Sequence, residues 1–191
     1  MAGRLIYLMG PSGAGKDAVL QGLHESMGSD SYLAPRLVTR PAMPGERRSV
    51  SVSPTEFAWL ESSGRLAMAW RANGLAYGVP RQIDDMLAAG GDVLVNGSRA
   101  YLPEACRRYQ TLLPVLLSVD GALLRQRLIN RGRENTEQIS ARLARNARFA
   151  SLRCPVGVNP VFVLDNSGAI GDAIAALQAY LGPVHTIQGA A

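Results

Sequence analysis

Apolar residues in this chain fall in short unbroken runs, and helical spacings lie between them. Residues 4–9 ("RLIYLM"), 92–96 ("DVLVN"), 112–119 ("LLPVLLSV") and 160–168 ("PVFVLDNSG") hold such runs; all four are read as strands, the first two as buried ones. Helical periodicity predicts helices at about 15–27, 55–62, about 81–89, 121–130, the second half of 131–149, and 169–181. Strands alternating with helices give an α/β fold of three layers, a parallel central sheet covered on both faces, with ligands gathered at the carboxyl ends of the strands. Residues 34–80 break the alternation: Pro35, Pro41, Pro44, Gly45, Pro54 and the alternating "SVSVS" (49–53) predict an inserted region of short strands with one helix. The tail after Leu181 reads as frayed.

A length of 191 residues suits one domain with a full core. We divide it into a core (about 1–33, 90–128 and 150–181), an acceptor-binding insertion (about 34–89) and a helical lid (about 129–149). Apolar residues make up 47% and charged residues 18%, the balance of a globular protein. No apolar run approaches the ~20 residues of a membrane span. The opening ten residues are too short for a signal-peptide core, so we expect a cytoplasmic protein with Cys106 and Cys154 as reduced thiols. The formal charge is +5, and Lys16 is the only lysine among 20 basic residues. The arginines are scattered without interleaved aromatics, which speaks against nucleic acid. They suit phosphates, whose oxygens match the planar guanidinium fork, although an Arg-biased genome would give the same composition.

The decisive motif is "GPSGAGKD", Gly10 to Asp17, between the first strand and the first helix. Gly10, Pro11, Ser12, Gly13, Ala14, Gly15 and Lys16 form a phosphate-binding loop: backbone N–H groups point into one concavity at a helix N-terminus, and Lys16 reaches the β- and γ-phosphates. The usual Ser or Thr after the lysine is Asp17. A carboxylate among phosphates calls for a divalent cation between them, and Mg²⁺ accepts carboxylate oxygens. The second strand ends in Asn96, where an acidic residue usually faces the metal. We therefore expect the negative charge to have moved from that strand end to Asp17; a helix-capping role for Asp17 is the alternative.

The loop, "VTRPAMPGE" and "RGRENTEQISARL" together resemble the guanylate-kinase branch of the P-loop kinases. Matching positions are Thr39, Arg40, Pro41, Pro44, Gly45 and Glu46, then Gly74, Tyr77 and Gly78, then Arg131, Gly132 and Arg142. Several of that branch's base-reading and acceptor positions differ, with Met43, Ser49, Met68, Arg36, Asn96 and Ser98 in their places. A site that has lost those partners would not select a guanine base. "GPSGAGKD", "ANGLAYGV", "DVLVNGSRAYLP" and "NRGRE" look like the narrower ribose 1,5-bisphosphate phosphokinase family, which has the same Asp after the loop lysine. The resemblance implies ATP-dependent phosphorylation of ribose 1,5-bisphosphate to 5-phosphoribosyl 1-diphosphate (PRPP) in phosphonate utilisation.

That implies Lys16, Asp17, Arg131 and Arg142 as the catalytic set, with ATP and Mg²⁺ as cofactors, and residues 10–17 with Arg131 and Arg133 on the ATP. Arg145 and Arg148 follow Arg142 at helical spacing. On the acceptor side we expect Arg36, Thr39, Arg40, Tyr77, Asn96, Ser98 and Arg99, with Arg36 and Arg99 assigned by charge alone. "LDNSG" (164–168) is expected near the donor adenine. His24 and His185 are not expected to act, because a phosphate acceptor is already an anion and needs no general base. The partners are a sugar phosphate and ATP, and a homodimer is compatible with this kinase class. Three alternatives stand beside this one: a guanylate kinase with an unusual acceptor pocket, a non-catalytic module of the same fold, and a kinase of a small sugar hydroxyl such as gluconate.

Overall fold

The computed structural model describes residues 3–41, 48–132, 135–147 and 159–182. Arg133, Met43, Pro44, Gly45, Glu46, Arg148, Cys154 and His185, all named above, lie outside them.

Strand β1 (Leu5–Met9) is buried along its whole length, and its residues divide between two cores. Leu5, Tyr7 and Met9 face one cluster, whereas Ile6 and Leu8 face the other. The period-2 alternation is hidden in the sequence because both faces are apolar. Helix α1 (Lys16–Met27) follows the loop, and β2 (Ser31–Leu33), β3 (Arg36–Val38) and β4 (Ser49–Ser51) come next. Then come α2 (Pro54–Ser62), β5 (Leu66–Ala72), β6 (Leu75–Pro80), α3 (Gln82–Ala88), β7 (Asp92–Asn96), α4 (Leu102–Arg108) and β8 (Leu112–Ser118). Helices α5 (Gly121–Arg131) and α6 (Thr136–Ala147), strand β9 (Phe162–Asp165) and helix α7 (Ile170–Leu181) complete the described chain.

The central sheet has the order β2-β7-β1-β8-β9, and all its pairs are parallel. Its α1/α7 side packs Val19, Leu20, Leu23, Ala173 and Leu177 on Ile6, Leu8, Leu94 and Val115. Its other side packs Ile83, Leu87, Leu102 and Ala105 on Leu5, Tyr7, Val93 and Val95. Arg4 ties the sheet together: its guanidinium makes a two-point pair with fully buried Asp92 and also donates to the Leu181 carbonyl at the end of α7.

The second sheet, β4-β3-β6-β5, sits beside the central one and mixes parallel and antiparallel pairs. Its β5–β6 hairpin turns at Asn73-Gly74, both with φ > 0 (52° and 74°). An Asn-Gly pair between strands is the strongest short hairpin signal, and here it marks a turn within the inserted region. Helix α4 and the three-residue β2 are too short to show a period. Helix α2 covers this sheet through Phe57, packed with Leu37, Val52, Leu66 and Ala76. Ser53 caps it, accepting the Glu56 N–H at 3.0 Å. Leu124 and Leu128 of α5 pack on Ile139 of α6. Asn135 and Gln138 exchange reciprocal side-chain-to-backbone bonds at the start of α6.

Candidate active site

The loop after β1 is held from behind by side chains far away in the sequence. Asn166, just past β9 and only 3% exposed, donates from Nδ2 to the Ala14 carbonyl at 2.7 Å. Arg127 of α5 donates to the same carbonyl at 3.5 Å and to the Asn166 carbonyl at 3.1 Å. Gly15 takes φ +92°, and a Cβ there would lie 2.8 Å from Asn166 Nδ2, so left-handed backbone and close packing both select glycine. Asn166 belongs to the "LDNSG" stretch, and in the fold it clamps the loop. Asn166 stood out only as part of "LDNSG", and no motif carries Arg127.

Lys16 arches back over the loop, and its Nζ donates to the carbonyls of Pro11 (2.8 Å) and Gly10 (3.1 Å). Burial pushes its pKa down to about 8; the positive charges of Arg36, Arg99 and Arg131 act in the same direction, and Asp17 opposes them. Those three arginines come from β3, the β7–α4 connection and the end of α5, and they share one electropositive region around the lysine. Arg131 reaches the loop itself, donating to Ser12 Oγ at 3.4 Å. Arg99 donates to Asn146 Oδ1 on α6 at 3.0 Å and so links the carboxyl end of β7 to that helix. Arg142 lies half-buried on the same helix.

Asp17 does not cap α1. The capping position is Gly15, which offers no side chain, and the Asp17 carboxylate turns to β7. There Asn96 Nδ2 donates to Asp17 Oδ1 at 2.6 Å, a contact between residues 79 apart in the chain. The carboxylate after the lysine and the amide at the strand end are thus one unit. Register brings this about, because Asn96 pairs with Leu8 on β1, immediately before the loop. Among the described residues no three acidic, His or Cys side chains form a metal cage. A site with one carboxylate fits Mg²⁺, which usually takes one or two carboxylates and completes its shell with phosphate oxygens and water.

The remaining acceptor residues come from β3 and the chain after it, from β6 and from the β7–α4 connection. Arg36 donates to Ser49 Oγ at 3.2 Å, and its guanidinium lies 5.7 Å from the Tyr77 ring centroid. Tyr77 stacks on Trp70 across the hairpin, with ring centroids 5.7 Å apart. Thr39 is engaged in the fold, since its Oγ1 accepts the Ala76 N–H at 2.9 Å. Arg40 turns along its own strand end and donates to the Pro41 carbonyl at 3.0 Å, while its carbonyl accepts from Ser51. Ser98 is fixed through its backbone: Tyr7 OH accepts its N–H at 2.8 Å and donates to its carbonyl at 2.9 Å. A Cβ at Gly97 would come within 2.1 Å of the Tyr7 ring, so this turn accepts only glycine. Asp17, Arg36, Ser49 and Asn96 line one recess together, bounded below by Leu20 and Leu33.

No protein-family model matches the chain. It is 53% identical, over 95% of its length and 97% of the relative's, to ribose 1,5-bisphosphate phosphokinase PhnN of Pseudomonas paraeruginosa (strain DSM 24068 / PA7). The chain belongs to the ribose 1,5-bisphosphate phosphokinase family. The phosphokinase of that name from Brucella melitensis biotype 2 (strain ATCC 23457) is 37% identical over 97% of this chain and 93% of its own. Among solved structures, a guanylate kinase from Anaplasma phagocytophilum aligns with a TM-score of 0.68 at 19% identity, covering 94% of this chain and 85% of its own. That likeness shows a shared P-loop kinase fold alone. Within the ribose 1,5-bisphosphate phosphokinase family, then, this member couples the unusual loop aspartate directly to the strand-end asparagine. No helix among its described residues is long and apolar enough to cross a membrane.

Proposed function

We propose that this protein transfers the γ-phosphoryl group of ATP to the 1-phosphate of ribose 1,5-bisphosphate, giving PRPP and ADP in the cytoplasm. The observation that carries this is a complete phosphate loop facing a recess of Asp17, Arg36, Ser49 and Asn96. This wall carries charge for phosphates and small polar groups for a sugar, while the loop lysine and lid arginines that a non-catalytic module would lose are present. Loop amides and Lys16 hold the β- and γ-phosphates. Mg²⁺, when bound, neutralises the charge on the phosphate oxygens, and Asp17 is the protein ligand for it. Arg131, beside Ser12, and Arg142 on α6 flank the migrating group, and Arg133, outside the described residues, is a further arginine we assign to the ATP. The acceptor oxygen is already anionic, so alignment and charge neutralisation suffice, and no side chain takes a proton. Arg36, Arg40 and Arg99 bind the acceptor's two phosphates, with Thr39, Tyr77 and Ser98 shaping the same wall.

Phosphorus NMR of the product, from purified protein with ATP and either ribose 1,5-bisphosphate or GMP, tests this directly. We expect a diphosphate on C1 of the sugar and no GDP. GDP formation without sugar turnover would make the protein a guanylate kinase.

A further inference from the structure

Among the buried side-chain atoms without a hydrogen-bond partner in the described residues, two belong to residues that line the recess beside the loop, and they are of opposite kinds. Asn96 is 8% exposed. Its amide orientation is fixed by Asp17, because a carboxylate only accepts and must therefore face the NH₂ group. That leaves Asn96 Oδ1 as a buried acceptor with nothing to accept. Arg36 uses Nη2 on Ser49 and lies over the Tyr77 ring, and its Nε–H is a buried donor with nothing to receive it. Buried polar groups in folded proteins are otherwise almost always paired.

A ligand that satisfies both presents an acceptor oxygen, best an anionic one opposite a guanidinium, and a hydrogen-bond donor. Position says where on the ligand they lie. Asn96 is bonded to Asp17, the residue next to Lys16, so whatever meets Asn96 Oδ1 lies close to the reacting phosphate. In a nucleoside monophosphate the atoms next to the phosphate, O5′ and C5′, carry no donor, and the base is several bonds away. In a sugar 1-phosphate the carbon next to the phosphorylated one carries a hydroxyl. Resting on the function proposed above, we infer that Asn96 Oδ1 accepts the 2-hydroxyl of the acceptor sugar while Arg36 Nε–H binds an oxygen of the adjoining 1-phosphate. Asn96 is then a specificity-determining residue with two faces: its nitrogen orients Asp17, and its oxygen reads ribose against deoxyribose.

The test compares kcat/KM for ribose 1,5-bisphosphate and for 2-deoxyribose 1,5-bisphosphate. A site built to hydrogen-bond a hydroxyl rejects the analogue that lacks it, so the unaltered protein is expected to favour ribose by about tenfold or more. In Asn96→Leu, close in size but without an acceptor, the preference should fall to within about twofold. In Arg36→Lys both sugars should lose activity alike, with the ratio kept. The ratio is insensitive to a general loss of turnover. If Asn96→Leu is too slow to assay, calorimetric affinities of the two sugars for it and for Asn96→Ser give the same comparison. Equal kcat/KM for the two sugars in the unaltered protein, or a preference that survives Asn96→Leu, would overturn the role of Asn96 and leave the proposed function standing. Absence of any ribose 1,5-bisphosphate turnover would overturn the proposed function itself, and this inference with it.

Discussion

The phosphate loop and the wall opposite it are held by different kinds of contact. On the loop side, backbone N–H groups and the Lys16 side chain are the groups we assign to the phosphates, and the loop is fixed from outside. The Ala14 carbonyl takes bonds from Asn166 and Arg127, and Lys16 closes over Gly10 and Pro11. The groups we assign to the acceptor are side chains; among them Arg36 and Asn96 each keep a buried polar atom unpaired, as Asn166 Oδ1 does behind the loop. Backbone amides suit a donor common to many kinases, since any nucleoside triphosphate presents the same phosphates. Side chains suit the acceptor, where one fold has to distinguish a sugar from a nucleotide. Asp17 and Asn96 join the two walls, one residue from each.

The comparison breaks most severely at the loop. Lys16→Met should lower kcat by about 10³-fold while the fold persists, as judged by circular dichroism, because a charge aimed at the transferring group is lost. Asp17→Ala should cost about 10²-fold and raise the Mg²⁺ concentration needed for half-maximal rate. An unchanged Mg²⁺ dependence would remove Asp17 from the metal.

The pH dependence follows from Lys16. Its pKa of about 8 lies below the ordinary 10.5, so the lysine of the free protein is a cation below about 8 and neutral above it. Nucleotide affinity should therefore fall up to tenfold per pH unit above about 8, with proton uptake on binding visible by calorimetry in buffers of different ionisation enthalpy. Lys16→Met should flatten both. The sign for stability is opposite: between about 8 and 10.5 the unfolded chain holds a proton that the folded one does not, so this group makes the free protein more stable as pH rises through that window.

The smallest effect is expected behind the loop. Asn166→Ala removes one of the two donors to the Ala14 carbonyl and should cost about 1–2 kcal/mol in thermal or chemical unfolding, with weaker ATP binding. Equal stability would mean that Arg127 alone suffices to hold the loop.

Much of the fold was legible because its signals are local. Leu5–Met9 is five apolar residues in a row, and the loop and α1 follow without a gap, so strand, turn and helix declare one another. Ser53 and Glu56 mark the start of α2 at the spacing a capping pair requires. The Asn73-Gly74 hairpin signal is equally local. Site residues were legible only as types. Asp17 and Asn96 stood out because each replaces the expected group, but their bond depends on β7 lying beside β1 with Asn96 level with Leu8. Asn166 showed only as part of "LDNSG" and Arg127 not at all, since an asparagine after a strand and an arginine on a helix are ordinary until packing brings them onto one carbonyl.

What the sequence determined by itself, then, is the chemistry on offer: a phosphate loop, one lysine, an aspartate in place of a hydroxyl residue, and arginines instead of base-reading groups. These depend on residue identity and on spacings of a few positions, which the chain fixes directly through its dihedral preferences and periodicity. Tertiary structure alone decided which of those groups meet. It turned Asp17 away from helix capping and onto Asn96, committed Thr39 to a strand contact, and left one acceptor and one donor buried in the same recess. The reason is geometric: hydrogen bonding acts over about 3 Å, and only sheet register and helix packing bring residues 79 apart within that range.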